Sequence, residues 1–221
     1  MLAPITVLLN TASFDMKDYH THHPNPAGGS ICAVTREDWP SLATVQGMTP
    51  AFGIHPWHAH EVEDPAEFAF ELDDYLYRYP NAEVGETGLD ASEKYQSTLE
   101  AQRMLLHLHL GAAFRHDRLV HLHCVRSHAE LLGILKERAR CNTLPRVLLH
   151  AWNGSHELAR EFLALGAVFS VGLRELSHSR AQERYARIPE GKIFPESDDN
   201  PEDWPRTLAL FRLLRGGFKI Q

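Results

Sequence analysis

The 221-residue sequence predicts an α/β fold, a compact (β/α)8 barrel of the TIM type. Three observations carry this prediction. Eight short apolar runs alternate with longer amphipathic stretches, the pattern of parallel strands covered by helices. The units average about 28 residues, near the ~30 of a βαβ repeat. No glycine-rich phosphate loop follows the first run, which removes the main ground for a doubly wound open sheet.

Taken in order, the strands are expected at residues 17–22, 31–34, 50–54, 82–86, 119–123, 147–150, 167–171 and 192–196. The helices between them carry their own punctuation. Asp64-Pro65 starts one with Phe68, Leu72, Tyr75, Leu76 and Tyr79 on one face, closed by Pro80. Ser92 is expected to begin a long helix with Leu99, Leu105, Leu106, Leu110 and Ala113 inward. Ser127-His128-Ala129-Glu130 reads as a capping box ahead of Leu131, Leu132 and Leu135. Ser155 opens a helix that buries Leu158, Phe162 and Leu165 and stops at Gly166, and Asn200-Pro201 opens the last. The first crossovers are expected to have lost or reduced their helices, and the C-terminal tail is short. The whole of 1–221 reads as one domain, with 1–16 a lead-in that matches no barrel element.

Hydrophobic residues at 43% and charged residues at 23% exclude a disordered or fibrous chain. A net charge of −7 is the wrong sign for coating nucleic acid by bulk charge. Three scattered cysteines (32, 124 and 141) fit reduced thiols rather than a disulfide framework, and so a cytoplasmic setting. The N-terminus lacks the basic leader of a signal peptide, and no apolar run approaches the ~18–20 residues of a membrane span. Histidine is the outlier, with 15 copies against 14 glycines. It is the commonest metal ligand and titrates near neutrality.

In such a barrel chemistry gathers at the C-terminal ends of the strands. Strand one ends on His20 and His22, which share a face, strand four on Glu86, strand five on His123, strand six on His150, and strand eight runs into Asp198. Glu86 to His123 is 37 residues and His123 to His150 is 27, each about one βα unit. His150 to Asp198 is 48, as expected if strand seven contributes nothing; His22 to Glu86 is 64, short for three full units. Imidazoles with carboxylates suit zinc, manganese or iron. Two such ions ~3.5–4 Å apart would hold a bridging hydroxide and clamp both oxygens of a displacement.

Six ordered segments sharpen this: DYHTHH at 18–23, GIHPWHA at 53–59, EVGETGLD at 83–90, HLHCVRSHAELL at 121–132, LLHAWNGSHELAREFLALGAVFSVG at 148–172 and IPEGKIFPESD at 188–198. In these the sequence resembles the TatD family of metal-dependent deoxyribonucleases, a branch of the metallo-hydrolase barrels. The resemblance implies two divalent ions (Mg, Mn or Zn) held by His20, His22, Glu86, His123, His150 and Asp198. Glu86 would bridge them, and Asp198 would accept the proton of the attacking water. It further implies that His55 and Arg126 grip the substrate phosphate. The expected partner is a DNA end or a short single strand, with no membrane and no obligate protein partner. The sequence departs from the family in a shorter segment between HxH and GIHP, in Glu-Ser-Asp for the usual Glu-Thr-Asp, and in a brief tail. These changes bear on substrate choice. A metallo-hydrolase of small phosphate, lactone or amide substrates is the alternative, and a non-enzymatic binding protein on the same scaffold a third.

The remaining histidines read as bland. His23, His58 and His60 are expected at solvent, while His107, His109, His116, His128, His156 and His178 fall on helices or loops. His121 shares a strand face with His123 and is open to a role behind the ligands. Trp57 offers a ring on which a base would stack or against which the rim would pack, and the sequence leaves both open.

Overall fold

The computed structural model describes residues 16–216. Eight strands follow one another in a single parallel sheet in chain order: β1 (Asp18–Thr21), β2 (Gly29–Cys32), β3 (Met48–Phe52), β4 (Glu83–Asp90), β5 (Leu119–Val125), β6 (Arg146–Leu149), β7 (Val168–Val171) and β8 (Ile193–Pro195). The sheet closes on itself where β1 meets the chain just beyond β8. The Asp198 amide donates to the His20 carbonyl (3.0 Å) and the His22 amide to the Asp198 carbonyl (3.1 Å). Each expected strand is present within a few residues. β4 runs four residues further than expected because its pairing with β5 continues to Asp90 opposite Val125. The expected lead-in at 1–16 lies, apart from Met16, outside the described residues; Met16 packs half-buried against the core.

Full-length helices cover the middle of the barrel. They are α2 (Pro65–Arg78), α3 (Leu99–His116), α4 (His128–Arg140) and α5 (His156–Ala164), with α8 (Trp204–Gly216) closing the end. The Asp64 side chain caps α2 by accepting from the amides of Ala66 and Glu67, and Phe68, Leu72 and Leu76 are buried beneath it. Ser155 caps α5 by accepting from the Leu158 amide. Gly166 ends that segment at φ +84°, a conformation other residues resist.

Two helix starts differ from expectation. The helix expected at Ser92 begins at Leu99, because Ser92 turns the chain by accepting from the amides of Tyr95 and Gln96. Ser127 precedes α4 without a side-chain cap, and Glu130, the other half of the expected box, pairs instead with Arg103 on α3.

The first crossovers are as reduced as the spacing required. β1 and β2 are joined by a loop, and β2 and β3 by a short turn at Arg36–Asp38 and the four-residue α1 (Trp39–Leu42). Trp39 does the covering. It is fully buried, its indole N–H donates to the Gly53 carbonyl (2.9 Å), and it packs against Phe52, Phe68 and Tyr75. α6 (Leu173–Leu176) and α7 (Ala181–Tyr185) follow β7 as short pieces. No helix among the described residues is long and apolar enough to cross a membrane.

Candidate metal centre

The strand ends bring His20, His22, Glu86, His123, His150 and Asp198 together at one rim, with Glu86 at the centre and fully buried. Gly85 lets β4 come this close to β5: its φ is +142°, and a Cβ there would lie 2.8 Å from the His121 Cβ. The two carboxylate oxygens of Glu86 face different partners. Oε2 lies 3.0 Å from His22 Nε2 and 3.1 Å from His20 Nε2, with Asp198 Oδ1 3.6 and 3.8 Å from the same two nitrogens. Oε1 lies 2.9 Å from both His123 Nδ1 and His150 Nε2 and 3.1 Å from His55 Nε2.

Hydrogen bonds behind the rim set which imidazole nitrogens carry protons. His22 Nδ1 donates to the Cys32 carbonyl (2.9 Å), so its Nε2 presents a lone pair to the Glu86 carboxylate. His123 Nε2 donates to Asp90 Oδ2 (3.3 Å), which leaves Nδ1 as the lone pair facing Glu86. Behind His20, His121 Nε2 donates to Glu83 Oε2 (2.7 Å), which also accepts from Ser30 Oγ. His121 Nδ1 then accepts from His20 Nδ1 (3.2 Å), and His20 Nε2 is again the free lone pair. His55 is the contrast. Its Nδ1 accepts from the Trp57 amide (3.2 Å), so in the neutral ring Nε2 bears the proton and donates toward Glu86.

With neutral rings, the lone pairs of His20 and His22 would point at carboxylate oxygens with no proton between them. His20 Nε2 and Glu86 Oε2 are buried without an aligned hydrogen bond. The electrostatics express the same conflict. Burial alone would raise Glu86, but His150, His55 and His123 hold it well below the usual carboxylate range. Burial would lower His22 and His123, yet Glu86 with Asp198, and Asp90 with Glu86, push each up to about 9. Burial and His150 hold His20 well below its ordinary value. Such a set is built for cations, and its buried His and Glu side chains with Asp198 are donors of the kind that hold a divalent metal ion.

The cleft above the cluster has a volume of about 320 Å³ and is lined by His22, His55, Trp57, Glu86, Asp90, His123, His150, Asn153, Arg174 and Asp198, among others. Arg126 stands exposed just beyond β5, at φ +54°, outside that lining, while its neighbour Val125 is part of it. Sequence reasoning assigned nothing to Arg174, although it follows strand seven by three residues, a place where a charged residue is a signal. It also gave no role to Asp90 and Glu83, both in the EVGETGLD segment, or to Glu196. Glu196 is buried behind His150, its Oε1 3.9 Å from His150 Nδ1, and accepts from Ser170 Oγ and the Ala151 amide. Burial, with Asp198 adding to it, pushes its carboxyl well above the usual range. Ser197, between Glu196 and Asp198, ties the seam by donating through Oγ and N to the buried Asp18 (2.5 and 3.0 Å).

An eight-stranded barrel with imidazoles and carboxylates converging at the strand ends is the arrangement of the metallo-hydrolase barrels. The comparisons narrow it: the profile described as "TatD related DNase" matches residues 34–206, and the chain belongs to that family. It is 29% identical over 119 residues to a 3'-5' ssDNA/RNA exonuclease TatD of Edwardsiella piscicida, covering 54% of this chain and 44% of that protein. It is 27% identical over 160 residues to human deoxyribonuclease TATDN3, covering 68% and 57% respectively. The chain thus spans about half the length of these relatives. Among solved structures, YJJV, a TatD homolog from Escherichia coli K12, superposes with a TM-score of 0.78 at 26% identity and covers 90% of both chains.

Proposed function

We propose that this TatD-family hydrolase is a divalent-metal-dependent deoxyribonuclease that removes nucleotides from the end of a single strand. The observation that carries the reading is the division of Glu86, one carboxylate oxygen toward the His20, His22 and Asp198 set and the other toward His123 and His150. Bound there, two divalent ions would supply Lewis acidity to a phosphoryl oxygen and make water nucleophilic near neutral pH. The chain's own groups do the rest. Asp198 is the base: its side chain is 37% exposed where Glu86 is fully buried, so Oδ1 faces the cleft and takes the proton of the attacking water. His55 Nε2–H donates to a phosphate oxygen, consistent with its proton-bearing tautomer. Arg174 in the cleft and Arg126 beyond it neutralise the flanking phosphates. The net −7 limits the footprint to a few nucleotides. Relatives named as single-strand exonucleases support this substrate class.

The test is metal-stripped protein assayed on end-labelled single-stranded DNA with Mg²⁺, Mn²⁺ or Zn²⁺, beside Asp198→Ala. Stepwise shortening that needs metal and vanishes in the variant is the expected result. Intact DNA with turnover of small phosphate or carboxyl esters would establish the alternative, a small-ester metallo-hydrolase.

A further inference from the structure

Trp57 is placed unlike the buried tryptophans Trp39 and Trp152. Trp39 and Trp152 are buried to within 1% and serve packing, whereas Trp57 keeps 38% of its surface exposed at the mouth of the cleft. It is nevertheless held rigidly. Its indole N–H donates to Asp90 Oδ2 (2.8 Å), and its ring stacks on Tyr95 with centroids 5.0 Å apart and planes 11° from parallel. Lys94 leans over the pair, its Nζ 4.7 Å from the Tyr95 centroid and 5.8 Å from that of Trp57. The same Asp90 oxygen holds His123, whose ring centroid is 6.2 Å from that of Trp57.

An exposed aromatic whose rotamer is already fixed loses little entropy on taking a ligand. A flat π-surface with an ammonium beside it matches a nucleobase attached to a phosphate. We propose that Trp57 and Tyr95 form a stacking wall for the unpaired nucleobase next to the scissile phosphate, with Lys94 on the phosphate beyond. This rests on the nuclease reading and extends it: a base can reach the wall only when it is free of a partner strand, so the wall selects single-stranded ends. Because Asp90 holds both Trp57 and His123, the base contact and the catalytic cluster share one anchor.

The test uses metal-loaded protein and a dye-labelled, slowly cleaved phosphorothioate-linked thymidine strand, with binding read by anisotropy. Parallel strands lack one base at each of the three terminal positions in turn. Wild type is expected to lose roughly tenfold to hundredfold in affinity when one particular base is missing. Trp57→Ala should bind the intact strand that much more weakly and no longer sense the missing base, while Trp57→Phe recovers most of the difference. Lys94→Ala should lower the slope of log affinity against log salt by about 0.7. Equal discrimination of intact and abasic strands by wild type and Trp57→Ala would overturn the wall while leaving the nuclease reading intact. Failure of wild type both to bind and to cleave any strand would overturn the two together. Recovery by Trp57→Phe separates lost stacking from misfolding.

Discussion

The two sides of the barrel reach the same rim by different means. From β4 to β7 the strands are backed by the long, amphipathic helices α3, α4 and α5. From β1 to β3 there is a loop, one short turn and the four-residue α1, with Trp39 standing in for a helix face. Both sides nevertheless deliver ligand candidates: His20 and His22 from the stripped side, Glu86, His123 and His150 from the full side. The rim depends on strand ends and on the hydrogen bonds behind them. The outer layer only has to be dry and filled, and one indole can do that.

The sharpest way to break this comparison is to remove the stand-in. Trp39→Ala is expected to cost ~3–5 kcal/mol in urea unfolding. It should also weaken ion retention at the rim, because the indole holds the Gly53 carbonyl two residues before His55. Leu135→Ala, on the inner face of α4, should cost ~2–5 kcal/mol and leave ion retention unchanged. Equal loss of ions in both variants would erase the distinction.

A second measurement addresses the joint between the sides. Buried His109 on α3 accepts from the Ile54 amide through Nε2 (3.2 Å) and donates through Nδ1 to the Leu105 carbonyl (2.7 Å), so only the neutral ring satisfies both. Burial lowers it to about 4. The unfolded chain takes up this proton below pH 6.5 and the folded one only near 4. The stability, present in full above 6.5, is therefore lost as pH falls toward 4, in total ~3 kcal/mol. Urea midpoints between pH 7 and 4 should flatten in His109→Gln relative to wild type. An unchanged slope would mean that the fold does not hold this histidine neutral between α3 and the chain after β3.

Smaller effects follow at the seam and on the outer layer. Ser197→Ala leaves Asp18 short of a donor and should cost ~1–3 kcal/mol, with Ser197→Thr restoring it. Ser155→Ala removes the α5 cap for ~1 kcal/mol without touching ion content. Calorimetric melts of the three variants would order these costs.

Most of the frame was legible because hydrophobic alternation and turn residues are local. All eight strands and the reduced early crossovers could be read from runs and spacings. Helix starts were less legible: Ser92 has the right residue type but turns the chain instead, and Glu130, which Ser127 would need for a box, pairs with Arg103. In the same way the sequence put His20, His22, Glu86, His123, His150 and Asp198 at one rim, since strand parity and unit length determine that. It left His121 open to a role behind the ligands, but offered no sign that Glu83 and Ser30 continue a chain from it behind His20, or that Arg174 lines the cleft. Those contacts join residues far apart in the chain, and only the closed barrel brings them together.

The most direct test of the central proposal, that Glu86 divides two ion sites, is a count of bound ions. Inductively coupled plasma mass spectrometry on dialysed, metal-saturated protein should give two divalent ions per chain in wild type and a clear loss in Glu86→Gln, which keeps the shape and removes the charge. A wild-type chain that retains one ion or none, or a Glu86→Gln variant that retains both, would contradict it.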